Sequence, residues 1–294
     1  MGKPTKTIND YDPAVLDLFD AYVHGAIDRR GFIRKAGLMA LGGLTAASLL
    51  DGLSPDYVQA MEIEKLDERI RGEFLNYPSP DNWQAYLAKP AGAGAPRPGV
   101  LVIHENRGRN PYIEDVTRRL AVAGFIAMSP DALTSFGGWT SDDEGRKQQR
   151  SLDRSEMMAN WIAAFQYIKS HPDCSGKVGA IGFCYGGGVV NRLAVRLSNL
   201  GAGAPFYGSA PPGEEVPAIR APLLIHYAGL DERVNAGWPD YKEALDANGK
   251  SYTMHMYEGA NHGFHNDTTP RYDEEAARLA QDRTMAFFNE NLRR

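Results

Sequence analysis

The sequence predicts an α/β protein whose mostly parallel sheet is covered by helices on both faces. Two observations in the 294 residues lead to this prediction. After Pro98, runs of strand length alternate with longer helical stretches, and the runs are almost continuously apolar, as in strands buried on both faces. A glycine-rich turn at 182–188 also joins one of these strands directly to a helix. The first 60 residues lack this rhythm, and we expect them to form an N-terminal helical extension or an export signal.

The elements can be placed in chain order. Residues 11–25 have the pattern of an amphipathic helix, because Val15, Leu18, Phe19 and Tyr22 are spaced three and four apart. Residues 63–87 suggest short antiparallel strands around a Tyr-Pro-Ser-Pro turn. In the alternating part we expect strands at 100–104, 125–129, 178–183, 222–228 and 251–257, and helices at 113–122, 155–170, 188–197, 238–247 and 272–291.

One N-terminal pattern is typical of export. Arg29-Arg30-Gly31-Phe32-Ile33 is followed by Arg34-Lys35 and by 15 uncharged residues at 36–50, and together they resemble a twin-arginine signal. Fifteen residues are too few for a confident membrane span, which needs about 20, but they match the apolar core of a signal. We therefore predict an extension or signal at 1–60, one catalytic domain at 61–294, and a periplasmic or exported protein.

A cytoplasmic protein with retained N-terminal helices is the alternative. The leading segment is acidic for an export signal, and the best cleavage candidate, Val58-Gln59-Ala60, is poorly marked. Under this alternative the apolar side of the helices packs on the catalytic domain. That side would consist of Ile27, Leu38, Leu41 and Leu44.

Composition excludes several classes of function. The net charge is −5 and no large basic block occurs, so nothing indicates a nucleic-acid partner. Two cysteines, Cys174 and Cys184, form neither a disulfide framework nor a zinc cluster, and the seven histidines lack metal-ligand spacing. We therefore predict no metal, no organic cofactor and no stable membrane span.

The sharpest chemical signal is the turn Gly182-Phe183-Cys184-Tyr185-Gly186, which follows a strand and precedes a helix. It has the form of a nucleophile elbow, with cysteine where serine is commoner. The flanking glycines leave room for a sharp, strained turn in which side chains would collide. A helix that begins at the thiol also favours the thiolate form. We predict that Cys184 is a nucleophile, against the alternative of a buried, inert cysteine.

A cysteine nucleophile needs a base and a group that orients the base. Asp231 and His262 each follow a predicted strand, in the order nucleophile, acid, histidine that is expected for an elbow of this kind. Glu232 is the nearest competitor for the acid, and His265 for the base.

With these candidate residues identified, residues 98–292 resemble the dienelactone hydrolase family, which lies within the α/β-hydrolases. The elbow, the Asp231 loop, the Asn261-His262-Gly263-Phe264 segment and the run that begins His104-Glu105-Asn106 all match. The resemblance implies a hydrolase of ester or lactone bonds in small molecules, acting through an acyl-cysteine intermediate. It also implies that Glu105 holds the resting thiol and that the backbone N–H groups of Asn106 and Tyr185 form the oxyanion hole. If Glu105 lies beside the thiol, the resting cysteine should be largely neutral, and pairing of Glu105 with Arg107 is the alternative.

Two features leave open which substrate the protein acts on and whether it is an enzyme or a protein without turnover. Family members that hydrolyse dienelactone carry an arginine four residues after the histidine, where this chain has Asn266. An arginine for a substrate carboxylate could instead be Arg146, Arg150 or Arg154. The alternative class is a ligand-binding or redox-responsive protein without turnover. In a redox-responsive protein Cys174 could resolve a sulfenic acid at Cys184, but the intervening strand should separate the two sulfurs by about 20 Å, which disfavours direct pairing.

Overall fold

The computed structural model describes residues 6–39, 45–58, 61–92 and 94–294. In this part of the chain, eight strands form one sheet. The strands are β1 Ile70–Asn76, β2 Gln84–Pro90, β3 Arg97–Ile103, β4 Ile126–Pro130, β5 Cys174–Phe183, β6 Ala202–Phe206, β7 Leu223–Ala228 and β8 Tyr252–Tyr257.

The sheet has the order β1-β2-β4-β3-β5-β6-β7-β8. Strand β2 pairs antiparallel with both β1 and β4, and every other neighbouring pair is parallel. The carboxyl ends of β3, β5, β7 and β8 therefore meet at one edge of the sheet, where reactive groups gather in such folds.

Helices cover both faces of this sheet. One apolar cluster packs the sheet against α6, α7 and α9, and a second packs it against α4 and α10. The prediction of a mostly parallel sheet between two helical layers is confirmed. The helices are α1 Pro13–Val23, α2 Arg29–Met39, α3 Ala46–Leu53, α4 Pro111–Val122, α5 Asp142–Ser151, α6 Arg154–Ser170, α7 Tyr185–Arg196, α8 Glu232–Asn235, α9 Trp238–Ala247 and α10 Glu274–Leu292.

Residues 6–39 and 45–58, called here the N-terminal segment, have an apolar cluster of their own. Helices α1, α2 and α3 bury Phe19, Phe32, Leu50 and neighbouring side chains against one another, and all members of the cluster come from this segment. The predicted amphipathic face of α1 is confirmed, since Val15, Leu18, Phe19 and Tyr22 are all buried.

The expected apolar side of the retained helices is wrong at one position. Leu38 is 86% exposed, because the face of α2 that packs inward carries Phe32 and Ala36 instead. Ile27 is partly buried against the same cluster. Leu41 and Leu44, and Gln59 and Ala60 of the cleavage candidate, lie outside the described residues.

The segment contacts the catalytic domain mainly through polar groups. Asp143, at the start of α5, accepts hydrogen bonds from Tyr22, Arg29 and Arg146. The guanidinium of Arg146 also lies over the Tyr22 ring, 4.9 Å from its centroid. Within the described ranges, the search for helices long and apolar enough to cross a membrane finds none.

Candidate active site

The turn between β5 and α7 holds Cys184 in a strained conformation. Its φ is +56°, in the left-handed region that residues with a side chain rarely adopt. The glycines around it are required by close backbone packing. A Cβ at Gly182 would lie 2.2 Å from the carbonyl oxygen of Gly186, and a Cβ at Gly186 would lie 2.3 Å from that of Ile103. The turn therefore has the geometry expected of a nucleophile elbow.

His262 and Asp231 meet at the same edge of the sheet. Asp231 caps the N-terminus of α8, where its Oδ1 accepts a hydrogen bond from the Val234 backbone N–H at 3.2 Å. Its other carboxylate oxygen is hydrogen-bonded to Nδ1 of His262, and both side chains are buried. This pairing fixes the orientation of the imidazole and leaves its Nε2 without a hydrogen-bond partner.

Glu232 and His265, the competing candidates for the acid and the base, lie in different surroundings. Glu232 is exposed. His265 is buried, with Nδ1 2.8 Å from the Tyr112 hydroxyl and Nε2 3.4 Å from Gln281. Burial, together with the charge of Arg119, lowers the pKa of His265 to about 3, so it stays neutral.

Two imidazoles lie beside the thiol. Nε2 of His24 is 3.7 Å from Sγ of Cys184, and a ring nitrogen of His262 is within 4.8 Å of the same atom. Burial alone would raise the pKa of the thiol, but the two imidazoles outweigh that effect and lower it to about 5. Burial opposes the charged form of His262 as well, yet the negative Cys184 and Asp231 raise its pKa. Both shifts favour a thiolate beside an imidazolium for this pair.

Glu105 is buried and paired with Arg107, the alternative that the sequence left open. Nε of Arg107 donates to Oε2 of Glu105 at 3.0 Å, and Arg107 also donates to Asp142 at 2.7 Å. Asn266, which stands where dienelactone-cleaving relatives are expected to have arginine, donates to the same Glu105 oxygen at 3.2 Å. The neutral resting thiol was expected only if Glu105 lay beside it, and with the carboxylate held by Arg107 the pKa of Cys184 is lowered instead.

The residues expected to form the oxyanion hole lie next to a small cavity. Tyr185 is the first residue of α7, so its backbone N–H has no partner within the helix. The side-chain amide of Asn106 donates to the Val23 carbonyl oxygen at 2.8 Å. Both residues line a cavity of about 200 Å³, whose wall also includes His24 and all three candidate arginines, Arg146, Arg150 and Arg154.

Cys174 lies far from this site. It begins β5, whereas Cys184 follows the end of the same ten-residue strand, and both thiols are free. At about 3.3 Å per residue the strand holds the two sulfurs at opposite ends of the sheet, too far apart for a disulfide.

Sequence reasoning missed three polar residues around the thiol. They are His24 with its partner Asp20 on α1, and Arg233, whose Nη2 lies 3.0 Å from Nε2 of His24. The spacing of Asp20 and His24, four apart at the end of α1, was a usable signal for a paired imidazole. Nothing in the sequence indicated that this helix would reach the elbow.

The thiol and the two imidazoles are also a set of metal-ligand types. Ligand atoms of His24, Cys184 and His262 lie within 4.8 Å of one another, and among the described residues no other group of three such side chains is this compact. Sulfur and imidazole ligands suit zinc and related ions. The guanidinium of Arg233 beside His24 opposes a cation at this point.

Comparisons with known proteins agree with this geometry. Residues 83–292 match the model of the dienelactone hydrolase family, and residues 3–41 match a separate YqhI-like model. A provisionally named carboxymethylenebutenolidase of Saccharolobus solfataricus is 31% identical over 243 residues, which cover 69% of this chain and 92% of that protein. The carboxymethylenebutenolidase of Pseudomonas putida is 27% identical, over 66% of this chain and 86% of its own length.

Solved structures give the same result for the fold. A provisionally named dienelactone hydrolase from Klebsiella pneumoniae superposes with a TM-score of 0.69 at 25% identity, covering 75% of this chain and 99% of that one. A metagenomic phosphotriesterase, described as dienelactone hydrolase-like and promiscuous, gives a TM-score of 0.67 at 23% identity, with 76% and 99% coverage.

Proposed function

This chain belongs to the dienelactone hydrolase family and is a hydrolase of that type, and from this premise we propose that it cleaves ester or lactone bonds of small molecules through an acyl-cysteine intermediate. The nucleophile is Cys184, the base is His262, and Asp231 orients the base. One observation carries the proposal: a thiol of lowered pKa stands on the strained elbow, beside the buried His262–Asp231 pair.

The first half of the reaction transfers the acyl group to sulfur. The thiolate of Cys184 attacks the carbonyl carbon, and the π electrons move to the oxygen. When the tetrahedral intermediate collapses, the carbon–oxygen bond breaks and His262 gives its proton to the departing alkoxide. In a lactone the alcohol stays tethered to the acyl group.

The second half returns the enzyme to its resting state. His262, now neutral, takes a proton from a water molecule whose oxygen attacks the thioester carbonyl. Collapse of this intermediate breaks the carbon–sulfur bond, releases the acid and restores the pair of thiolate and imidazolium. In both halves the negative oxygen is stabilised by the backbone N–H groups of Asn106 and Tyr185. Losing one such donor typically costs about 2.7–4 kcal/mol of transition-state stabilisation.

Glu105 has a positioning role in this scheme. Its carboxylate ties Arg107 and Asn266 together behind the loop that carries Asn106. The cavity beside the loop is lined by Arg146, Arg150 and Arg154, so an acyl group that carries a carboxylate fits its charge.

The packing of the N-terminal segment supports the retained-helix alternative. Its contacts with Asp143 and Asn106 lie at the rim of the proposed site, so removal at residue 60 would uncover that rim. We therefore propose that the segment stays in the active enzyme. Cell fractionation decides between the periplasm and the cytoplasm.

The test is a panel of small esters, lactones and thioesters, assayed with wild type, Cys184→Ala and His262→Ala. Cys184→Ala should abolish turnover, and His262→Ala should reduce it by orders of magnitude without unfolding the protein, because both residues lie in turns or loops. Cys174→Ala is the matched control and should keep full activity. Turnover that survives in Cys184→Ala would contradict the acyl-cysteine mechanism.

A further inference from the structure

The N-terminal segment brings a second imidazole–carboxylate pair to the thiol. Nδ1 of His24 lies 3.1 Å from Oδ1 of Asp20, and Nε2 lies 3.7 Å from Sγ of Cys184. The arrangement repeats that of His262, whose Nδ1 is held by Asp231. The rings of His24 and His262 meet edge to face, with centroids 4.9 Å apart. Two imidazoles, each paired with an aspartate, therefore lie beside one sulfur.

The charged groups around His24 decide its protonation. Asp20 on its own helix and Cys184 on the elbow favour imidazolium, whereas His262 and Arg233 oppose it. Nη2 of Arg233 lies 3.0 Å from Nε2 of His24, but Arg233 is exposed to screening by water, whereas Cys184 is held by the strained turn. Burial lowers the pKa of His24, yet the hydrogen bonds to Asp20 and Cys184 outweigh burial and raise it to about 9. At neutral pH the Nε2–H group of His24 therefore points a positive charge toward the thiolate.

Polar contacts hold His24 in this position. The carbonyl of Val23, the preceding residue, accepts the Asn106 side-chain amide at 2.8 Å. Arg271 lies 3.8 Å from Asp20, and its guanidinium is 5.4 Å from the centre of the Phe19 ring. The end of α1 is thus tied to the loop that carries Asn106 on one side and to the loop before α10 on the other.

We propose that His24 is a further catalytic residue, whose imidazolium stabilises the Cys184 thiolate alongside that of His262. This inference rests on the proposed function, since it takes Cys184 as the nucleophile. The two imidazoles have different tasks. His262 exchanges its proton with the leaving group and with water, whereas His24 keeps its proton and supplies charge. The N-terminal segment is therefore part of the working active site.

The experiment measures the thiol directly. In a Cys174→Ser background, the rate of alkylation of Cys184 by iodoacetamide is followed by mass spectrometry between pH 4 and 10. The variants are His24→Ala and His24→Gln, the second of which keeps a polar side chain of similar reach without charge. His171→Ala is the matched control, because His171 stands before β5, at the end of the sheet far from Cys184.

Loss of the charge should move the midpoint of alkylation up by about one pH unit, a tenfold lower thiolate fraction at pH values below the midpoint. Both His24 variants should show this shift, and His171→Ala should not. In turnover, kcat/KM should fall about tenfold at pH values below the midpoint and little above about pH 7, where both proteins carry the thiolate. An unchanged or lower midpoint, or a wild-type midpoint in His24→Gln, would overturn the proposal.

Failure of the proposed function would look different. Turnover that persists in Cys184→Ala, or no turnover of any panel substrate by wild type, refutes the hydrolytic mechanism whatever the alkylation midpoints are. Turnover that depends on Cys184, with identical midpoints in wild type and His24→Ala, refutes only the role of His24. Thermal unfolding of each variant establishes that the shifts are measured on folded protein.

Discussion

Replacing Gly186 by alanine tests the packing of the elbow. The added Cβ would lie 2.3 Å from the Ile103 carbonyl oxygen and 2.7 Å from that of His104, so the start of α7 and the segment at 103–104 must move apart by about 1 Å. Overpacking of this kind costs about 1–3 kcal/mol of unfolding free energy. Alanine gains about 1 kcal/mol over glycine inside a helix, and Gly186 lies in α7, so the intrinsic preference acts in the opposite direction.

We expect Gly186→Ala to destabilise the protein by about 1 kcal/mol, the overpacking cost less the helix preference, which lowers Tm by about 2–4 °C in a domain of this size. The value of kcat/KM should fall even for the folded variant, because the displaced His104 carbonyl directly precedes Glu105 and Asn106. The assay is thermal unfolding followed by circular dichroism, with kcat/KM measured on the folded variant. Gly213→Ala is the matched control, since a Cβ at Gly213 would meet nothing within 4 Å. Equal Tm values for the two variants would refute the packing argument.

Three further outcomes are expected. The value of kcat/KM should fall as the pH drops through about 5, because the sulfur of Cys184 takes up a proton there; a rise in kcat/KM that begins only near pH 8 would contradict the thiolate resting state. Asp231→Asn should cut kcat/KM by at least about 100-fold, because it favours the wrong tautomer of the base, and a smaller loss in steady-state assays would argue against the triad. Arg150→Ala should raise KM about tenfold for esters with an acyl carboxylate and leave the KM of neutral esters unchanged. Equal effects on the two kinds of ester would refute this role for Arg150.

A fourth expected outcome concerns the N-terminal segment. Protein purified from its native host should still begin before α1, because the segment packs at the rim of the site. N-terminal sequencing checks this, and a new terminus near residue 60 would instead support export with cleavage.

The parts of the fold that follow strong apolar periodicity could be predicted from the sequence. Strand β7 and helix α9 lie where the sequence predicts them to within one residue, because each is bounded by clear turn residues and faces the core with large side chains. Strand β6 was missed because Ala202–Phe206 is mostly small residues that carry no strand signal alone and become a strand only between β5 and β7. Helix α5 was missed because its ten residues are nearly all polar.

The candidate site likewise has residues that the sequence could predict and residues that it could not. Cys184, Asp231 and His262 could be placed because each follows a strand whose end is fixed by the sheet. The partner of Glu105 could not, since the choice between Cys184 and Arg107 depends on which way one buried side chain turns. His24 could not either, because its contact with Cys184 spans 160 positions and depends on how a separately packed group of helices docks.

That long separation has a consequence for biosynthesis. The α1–α3 cluster is made first and can collapse on its own apolar residues while the rest of the chain is still being translated. Its docking partners, among them Asp143, the elbow and Arg271, emerge later, and the loop that carries Arg271 is among the last parts to be made. Non-local contacts of this kind form late in folding because loop closure must precede them. Under the proposed roles of His24 and His262, the thiolate of Cys184 is therefore stabilised only once both ends of the polypeptide have come together.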